Sequence, residues 1–238
     1  MRSTFDNSRL VRLLGGWAPA EGEPSGMDFA ERLSLWFNAF DAIRLQALHQ
    51  SLRSDDAAAL ARPVRKPQAR TGGLAEEVQR VRAILARAIA QDPMTDNPDT
   101  GYAAYRRRHA ELQGRMELMI APLREHVRQA LAGASPRLRQ LAALDAGLEQ
   151  VLATREQTLL PTVATLLERR FRQLQRAHES ALEPAGGPEE AAAPGRPDSW
   201  QPIFEQDWRD ALLAELDLRL EPVTGLVEAL TNESNIQP

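Results

Sequence analysis

The 238-residue chain has no cysteine. That excludes a disulfide framework, a thiolate metal site and a cysteine nucleophile. Lysine is nearly absent as well. Lys66 is the only one, so arginine carries the basic charge. Arginine's planar fork suits bidentate contact with carboxylate or phosphate, although a nucleotide-composition bias accounts for the same preference. The four histidines, His49, His109, His126 and His178, form neither His-Glu-x-x-His nor Glu-x-x-His, the usual marks of zinc-protease and di-iron helical sites. No Gly-x-x-x-x-Gly-Lys-Ser/Thr loop, Gly-x-Ser-x-Gly elbow or glycine-rich dinucleotide turn occurs, so the phosphate-cradling and serine-hydrolase signatures are missing. No apolar run approaches the ~18 residues that span a bilayer. Met1 to Asp6 opens without the apolar core of a secretion signal, so a cytoplasmic location and no direct membrane insertion are expected. No catalytic, cofactor-binding or metal-binding residue is nominated, and the expectation is a non-enzyme.

Alanine and leucine dominate what is present, while valine and isoleucine are few. Residues of the first kind lose little entropy in a helix, and β-branched residues favour strands. The expected fold class is all-α. The net charge of −4 is spread unevenly. Residues 1–101 are neutral, residues 102–176 hold 13 basic and 7 acidic residues, and residues 177–238 hold 3 basic and 13 acidic. Three readings follow: the acidic end folds against the basic middle, the middle faces an acidic partner or nucleic acid, or the charges coat solvated helix faces.

Along the chain, Ser8 to Leu14 reads as a short amphipathic helix stopped by Gly15-Gly16. A long helix is expected from Met27 to Leu52, with Phe29, Leu33, Trp36, Phe37, Phe40, Ile43, Leu45 and Leu48 apolar. Residues 54–73 form a basic, proline-interrupted linker. A second helix should cover Leu74 to Gln91, with Thr71 as its candidate cap. A third should cover Tyr102 to Ala132, kinked at Pro122 and ended by Gly133. Ser135-Pro136 then opens a fourth, because a hydroxyl followed by proline starts a helix well. It runs to Leu182 and is bent or divided by Pro161. The near-heptad seam Tyr105, Leu112, Met116, Met119, Leu123, Val127 and Leu131 predicts a helical bundle built on a long antiparallel, coiled-coil-like hairpin. Residues 183–199 form a flexible linker. Residues 200–238 form an acidic docking segment: one helix from Pro202 to Leu220, an interruption at Pro222, and a short turn from Val223 to Leu230. The domain reading is 1–53, 54–73, 74–182, 183–199 and 200–238.

The most suggestive cluster is Arg106-Arg107-Arg108, flanked by Tyr102 and Tyr105. Arginines beside aromatics can grip phosphates and stack on bases, or meet acidic protein. On a helix the three fan over about 200° and make no flat patch alone. Arg62 and Arg65 of the basic linker are candidates of the same kind. Trp200 and Trp208 are candidate partner-binding anchors, although Trp208 also fits a core stripe. His109 falls beside the seam of the third helix and reads as a partly buried polar residue. Glu215 and Asp217 lie two apart, so they point to different helix faces.

Several segments, in their order and spacing, resemble a known family. They are Ser8-Arg9-Leu10-Val11-Arg12-Leu13-Leu14, Phe29-Ala30-Glu31-Arg32-Leu33-Ser34-Leu35-Trp36, Tyr105-Arg106-Arg107-Arg108, Leu144-Asp145 through Glu149-Gln150-Val151-Leu152, and Leu213-Ala214-Glu215-Leu216-Asp217 through Glu221-Pro222-Val223. The resemblance is to an uncharacterised, all-helical proteobacterial family encoded beside MotA/MotB-like proton-driven motor proteins, and it covers most of the chain outside the linkers. It implies an accessory cytosolic component of type III Zorya anti-phage defence. The implied partners share the operon: the motor's cytoplasmic tail or a second cytosolic component. The resemblance carries no catalytic residues. The expected function is a non-enzymatic adaptor or effector acting by protein–protein interaction. The alternative is a nucleic-acid-binding effector that uses the basic hairpin, and a homo-oligomer remains open.

Overall fold

The structure is a computed structural model that describes residues 8–17, 41–48, 50, 71–91, 101–182 and 200–236. Arg62, Arg65, most of the basic linker and the 183–199 linker lie outside the described residues, as does most of the expected Met27–Leu52 helix. Within them the protein is all-α, with no strand. The helices are α1 (Arg9–Trp17), α2 (Thr71–Ala90), α3 (Tyr102–Ala134), α4 (Pro136–Leu182) and α5 (Gln201–Ile236). Residues 41–48 are also helical.

The corner between α3 and α4 follows from local chemistry. α3 runs through Gly133 to Ala134, two residues beyond the expected end, and leaves Ser135 alone between the helices in an extended conformation. The Leu138 amide donates to Ser135 Oγ at 3.1 Å, the side-chain cap that satisfies one of the orphan donors of the first turn. Pro136 takes the first helical position, where no donor is needed. Arg139 Nε donates to the Ala132 carbonyl at 3.1 Å and closes the end of α3.

From this corner α3 and α4 run back antiparallel. Near the turn, Asp145 Oδ2 accepts from Arg124 Nε at 2.8 Å and Arg128 Nε at 2.7 Å. Glu149 accepts from Arg124 Nη1 at 3.0 Å and lies 2.7 Å from Arg128 Nη1. At the far end, Tyr102 donates to the Ala164 carbonyl and its ring lies 5.7 Å from that of Phe171. The inward face of α3 is Tyr105, His109, Leu112, Met116, Ile120, Leu123, Val127 and Leu131, steps of three and four that keep one stripe on the core.

α5 is the centre of the packing, in contact with α1, α2, α3 and α4. Phe204, Trp208, Ala211, Leu212, Leu216, Leu220, Val223 and Leu230 are buried along it. The acidic C-terminal segment therefore docks on its own chain. Asp207 binds Arg170 of α4 at 2.8 Å, Asp210 binds Arg9 of α1 at 2.7 Å, and Asp217 binds Arg82 of α2 at 2.7 Å. Exposed pairs of this kind contribute about 0–1 kcal/mol each. The apolar face holds α5 in place, and the ion pairs set its orientation.

Besides the end of α3, α2 begins at Thr71, the expected cap, rather than at Leu74, and three helices pass through expected breaks. α1 passes through Gly15-Gly16 to Trp17, whose ring packs on the core. That burial offsets the ~0.5–1 kcal/mol each helical glycine costs. α5 does not stop at Pro222 but continues to Ile236, because Val223, Leu226, Val227 and Leu230 beyond it are all buried. α4 is likewise one 47-residue helix that Pro161 does not divide. No described helix is long and apolar enough to cross a membrane.

Candidate functional site

At the start of α3, successive residues turn by about 100°, which separates two functions. Tyr105 and His109 point into the core, each 3% exposed or less. Arg106 and Arg107 point outward and are exposed. Around them lies a shallow groove of about 400 Å³ lined by Tyr102, Ala103, Arg106, Arg107 and Ala110 of α3 and Glu168 of α4. Arg106 and Arg107 have no ion-pair partner among the described residues. Arg108 leaves the set, since its guanidinium binds Glu111 on its own helix at 2.8 Å. Glu168 is held by Arg172 one turn further along α4. Burial, reinforced by the negative charge of Glu168 and opposed by Arg106, pushes the Tyr102 hydroxyl up to about 12. It is a neutral donor at physiological pH.

Aromatic rings support the groove from beneath. Tyr105 meets Phe204 edge-on at 5.0 Å and Trp208 at 5.8 Å, and Phe171 meets Phe204 at 5.0 Å. These near-perpendicular pairs are the favoured arrangement for rings of this kind. They hold α3, α4 and α5 rigidly at the end that carries the arginines.

The two tryptophan candidates separate into a core residue and a staple. Trp208 is 1% exposed. It is a core anchor, because the helix spacing that made it prominent places it on the face α5 buries, and it offers no surface to a partner. Trp200 is half-buried, its ring edge-on to Phe171 at 4.7 Å, and it pins the start of α5 to α4.

One polar cluster escaped the sequence reading. Glu215 is 1% exposed and His109 2%. Gln113 Nε2 donates to both Glu215 oxygens at 3.0 Å, and Arg219 Nε donates to Oε1 at 2.9 Å. Burial alone would raise the Glu215 carboxyl, but His109, Arg219 and Gln113 together outweigh it and hold it below the usual range. The signal was present in the sequence. Glu215 stands seven residues after Trp208 and three after Leu212, on the apolar stripe of α5. Asp217, two residues on, faces Arg82 on another side. Among the described residues no group of three or more histidines and carboxylates is arranged to hold a metal ion.

A family model described as "Protein of unknown function (DUF3348)" matches residues 1–232. No curated protein and no solved structure matches the chain.

Proposed function

We propose, for a chain that belongs to the DUF3348 family, the role of a non-enzymatic helical adaptor that works in the cytoplasm through protein–protein contact. The observation that carries this reading is the pair Arg106 and Arg107, exposed beside a groove and without an ion partner among the described residues. The carboxylates Asp207, Asp210 and Asp217 of α5 are meanwhile engaged by the chain's own arginines. A frame that leaves positive charge uncompensated beside a groove is suited to hold an anionic partner there. The resemblance of the Ser8–Leu14, Phe29–Trp36, Tyr105–Arg108, Leu144–Leu152 and Leu213–Val223 segments supplies the setting. In it, the adaptor is an accessory of a MotA/MotB-like proton-driven motor in type III Zorya anti-phage defence, and its partner is encoded in the same operon.

Affinity purification of the tagged full chain from cells that carry the whole operon, with and without phage, tests the proposal. The motor's cytoplasmic tail or the second cytosolic component should be recovered with the wild-type chain and lost with Arg106→Glu/Arg107→Glu. Recovery of neither with the wild-type chain overturns it. Salt-sensitive retention of DNA or RNA, abolished by replacing the same arginines, would transfer the function to the nucleic-acid reading.

A further inference from the structure

We infer that α1 is a built-in clasp over a second docking surface, a stripe of α5 that takes a basic amphipathic helix of a partner protein once α1 lifts off. This surface is separate from the Arg106–Arg107 groove and adds a second contact to the adaptor reading.

The seat under α1 is charged at both ends. Asp210, Ala214 and Asp217 stand at i, i+4 and i+7 on one stripe of α5. Arg9 of α1 reaches both carboxylates, at 2.7 Å from Asp210 and 3.9 Å from Asp217. Ala214 between them is buried, and a side chain this small lets another helix cross closely. The seat does not need α1 to keep its shape. Gln206 donates to Asp210 at 3.0 Å, Arg82 of α2 holds Asp217 at 2.7 Å, and α2, α3 and α4 also pack on α5. Without Arg9, Asp210 has no cationic partner among the described residues.

α1 itself is weakly held. It has nine residues, fewer than the about 12–15 a helix needs to persist alone in water, so it is helical because it is seated. Gly15 and Gly16 weaken it further. Nothing stands within 4 Å of where either Cβ would be, so the packing does not demand glycine there. Leu10 is its one fully buried side chain and lies outside the contiguous core. Leu13, Leu14 and Trp17 are half-buried. Arg9 is half-exposed, which leaves its ion pairs screened by solvent. An element with so few buried contacts opens locally while the rest of the fold stays closed.

α1 also shows what the seat accepts. Arg9, Leu10, Leu13, Leu14 and Trp17 place an arginine beside an apolar face at helical spacing. α1 covers only the middle of the stripe. Ile203, seven residues before Asp210, and Leu218, next to Asp217, are half-exposed. A longer helix with an arginine facing Asp210 covers those side chains as well, and so gains contacts that offset the tethering advantage of α1. Nucleic acid is disfavoured, because Asp210 and Asp217 repel phosphate.

The experiment titrates a peptide of residues 8–17, carrying Gly15→Ala and Gly16→Ala to strengthen its helix, into the isotope-labelled full chain. NMR follows the amides from Asp210 to Asp217. Two variants release α1. Leu10→Asp puts a charge where the seat is apolar. Arg9→Glu, a surface change that spares the bundle, sets like charges against Asp210. The wild-type chain, with tethered α1 in place, should bind the peptide at least about tenfold more weakly than either variant. Asp210→Arg added to Leu10→Asp should abolish binding, and a peptide carrying Arg9→Glu should not bind. Hydrogen exchange of the wild-type chain should reach the α1 amides well before those of α3 and α5. Equal affinity in wild type and released chains, no binding to either released chain, binding that survives Asp210→Arg, or α1 amides as protected as those of α5 each overturns the inference. None of these outcomes touches the Arg106–Arg107 groove, so the adaptor reading is tested apart from it.

Discussion

His109 Nε2 of α3 lies 3.5 Å from Glu215 Oε2 of α5, with both side chains cut off from solvent. The contact is too long for a strong hydrogen bond. Gln113 and Arg219 supply the short bonds to the carboxylate, and Arg219 also reaches Glu117 of α3 at 3.3 Å. An interface of alanine and leucine can slide by one helical turn, about 5.4 Å, and still bury apolar surface. It cannot slide and keep Glu215 matched to Gln113 and His109. The cluster sets the register in which α5 seats, and so the position of the aromatic layer beneath the Arg106–Arg107 groove.

Replacing Glu215 should therefore cost far more than an ordinary surface change. In Glu215→Ala, Gln113 and Arg219 lose their main partner in a site from which water is excluded, a loss of about 3 kcal/mol or more. Urea unfolding should show a lower midpoint at unchanged slope. Glu215→Gln keeps the shape and one acceptor and should lose less. A Glu215→Ala variant within about 1 kcal/mol of the wild type would contradict this account.

The same carboxylate gives a pH signature. Burial raises the Glu215 carboxyl, and His109, Arg219 and Gln113 more than reverse it, so its folded value lies below its unfolded one. Asp145 behaves alike: burial raises it, and the hydrogen bonds and charges of Arg124 and Arg128 more than reverse that. A lowered carboxylate binds its proton more readily in the unfolded chain. Its stabilisation is complete above the unfolded value of about 4 and fades as pH falls through the folded one. Stability measured from about pH 7 to about pH 3 should be level near neutrality and drop below about pH 4. The drop should be shallower in Glu215→Gln. Equal slopes for variant and wild type would show that Glu215 is not a source of it.

Local chemistry in this chain was legible before the structure, and non-local chemistry was not. The α3 stripe from Tyr105 to Leu131 and the Ser135-Pro136 start of α4 depend on residues a few positions apart. The start formed as expected, and the stripe did too, except that Ile120 rather than Met119 is the buried residue of its middle turn. The outward turn of Arg106 and Arg107 follows from helix geometry alone. The groove does not, because Glu168 comes from another helix. Gly15-Gly16 and Pro222 carry correct local signals for helix ends. They were overruled by the burial of Trp17 on one side and of Val223 to Leu230 on the other. The core stripe that Trp208 fits is a local signal, and Trp208 is buried, whereas the Gln113 and His109 lining of Glu215 arrives from α3.

The two tryptophans of α5 and its approach should separate in a stability assay. Trp208→Ala opens a large hole among Tyr105, His109 and Leu212 and should cost about 3–5 kcal/mol. Trp200→Ala removes one half-exposed ring stacked edge-on against Phe171 and should cost about 1–2 kcal/mol. Thermal melts of both variants read the difference. A larger loss at Trp200 than at Trp208 would reverse the assignment of core and staple.

Glycines inside the helices offer a test of packing against propensity. Gly114 of α3 and Gly225 of α5 have nothing within 4 Å of where a Cβ would stand. Alanine there gains helix propensity without collision, so Gly114→Ala and Gly225→Ala should each stabilise by about 0.5–1 kcal/mol. Gly147 of α4 differs, because its Cβ would collide with Leu48 Cδ2. Gly147→Ala must push Leu48 aside and should gain less, or lose stability. Shortening Leu48 removes the obstacle, so Gly147→Ala introduced on top of Leu48→Ala should recover the full gain. A double-mutant cycle read by urea unfolding gives that coupling directly. Zero coupling between positions 48 and 147 would mean that Leu48 does not rest on α4 in solution.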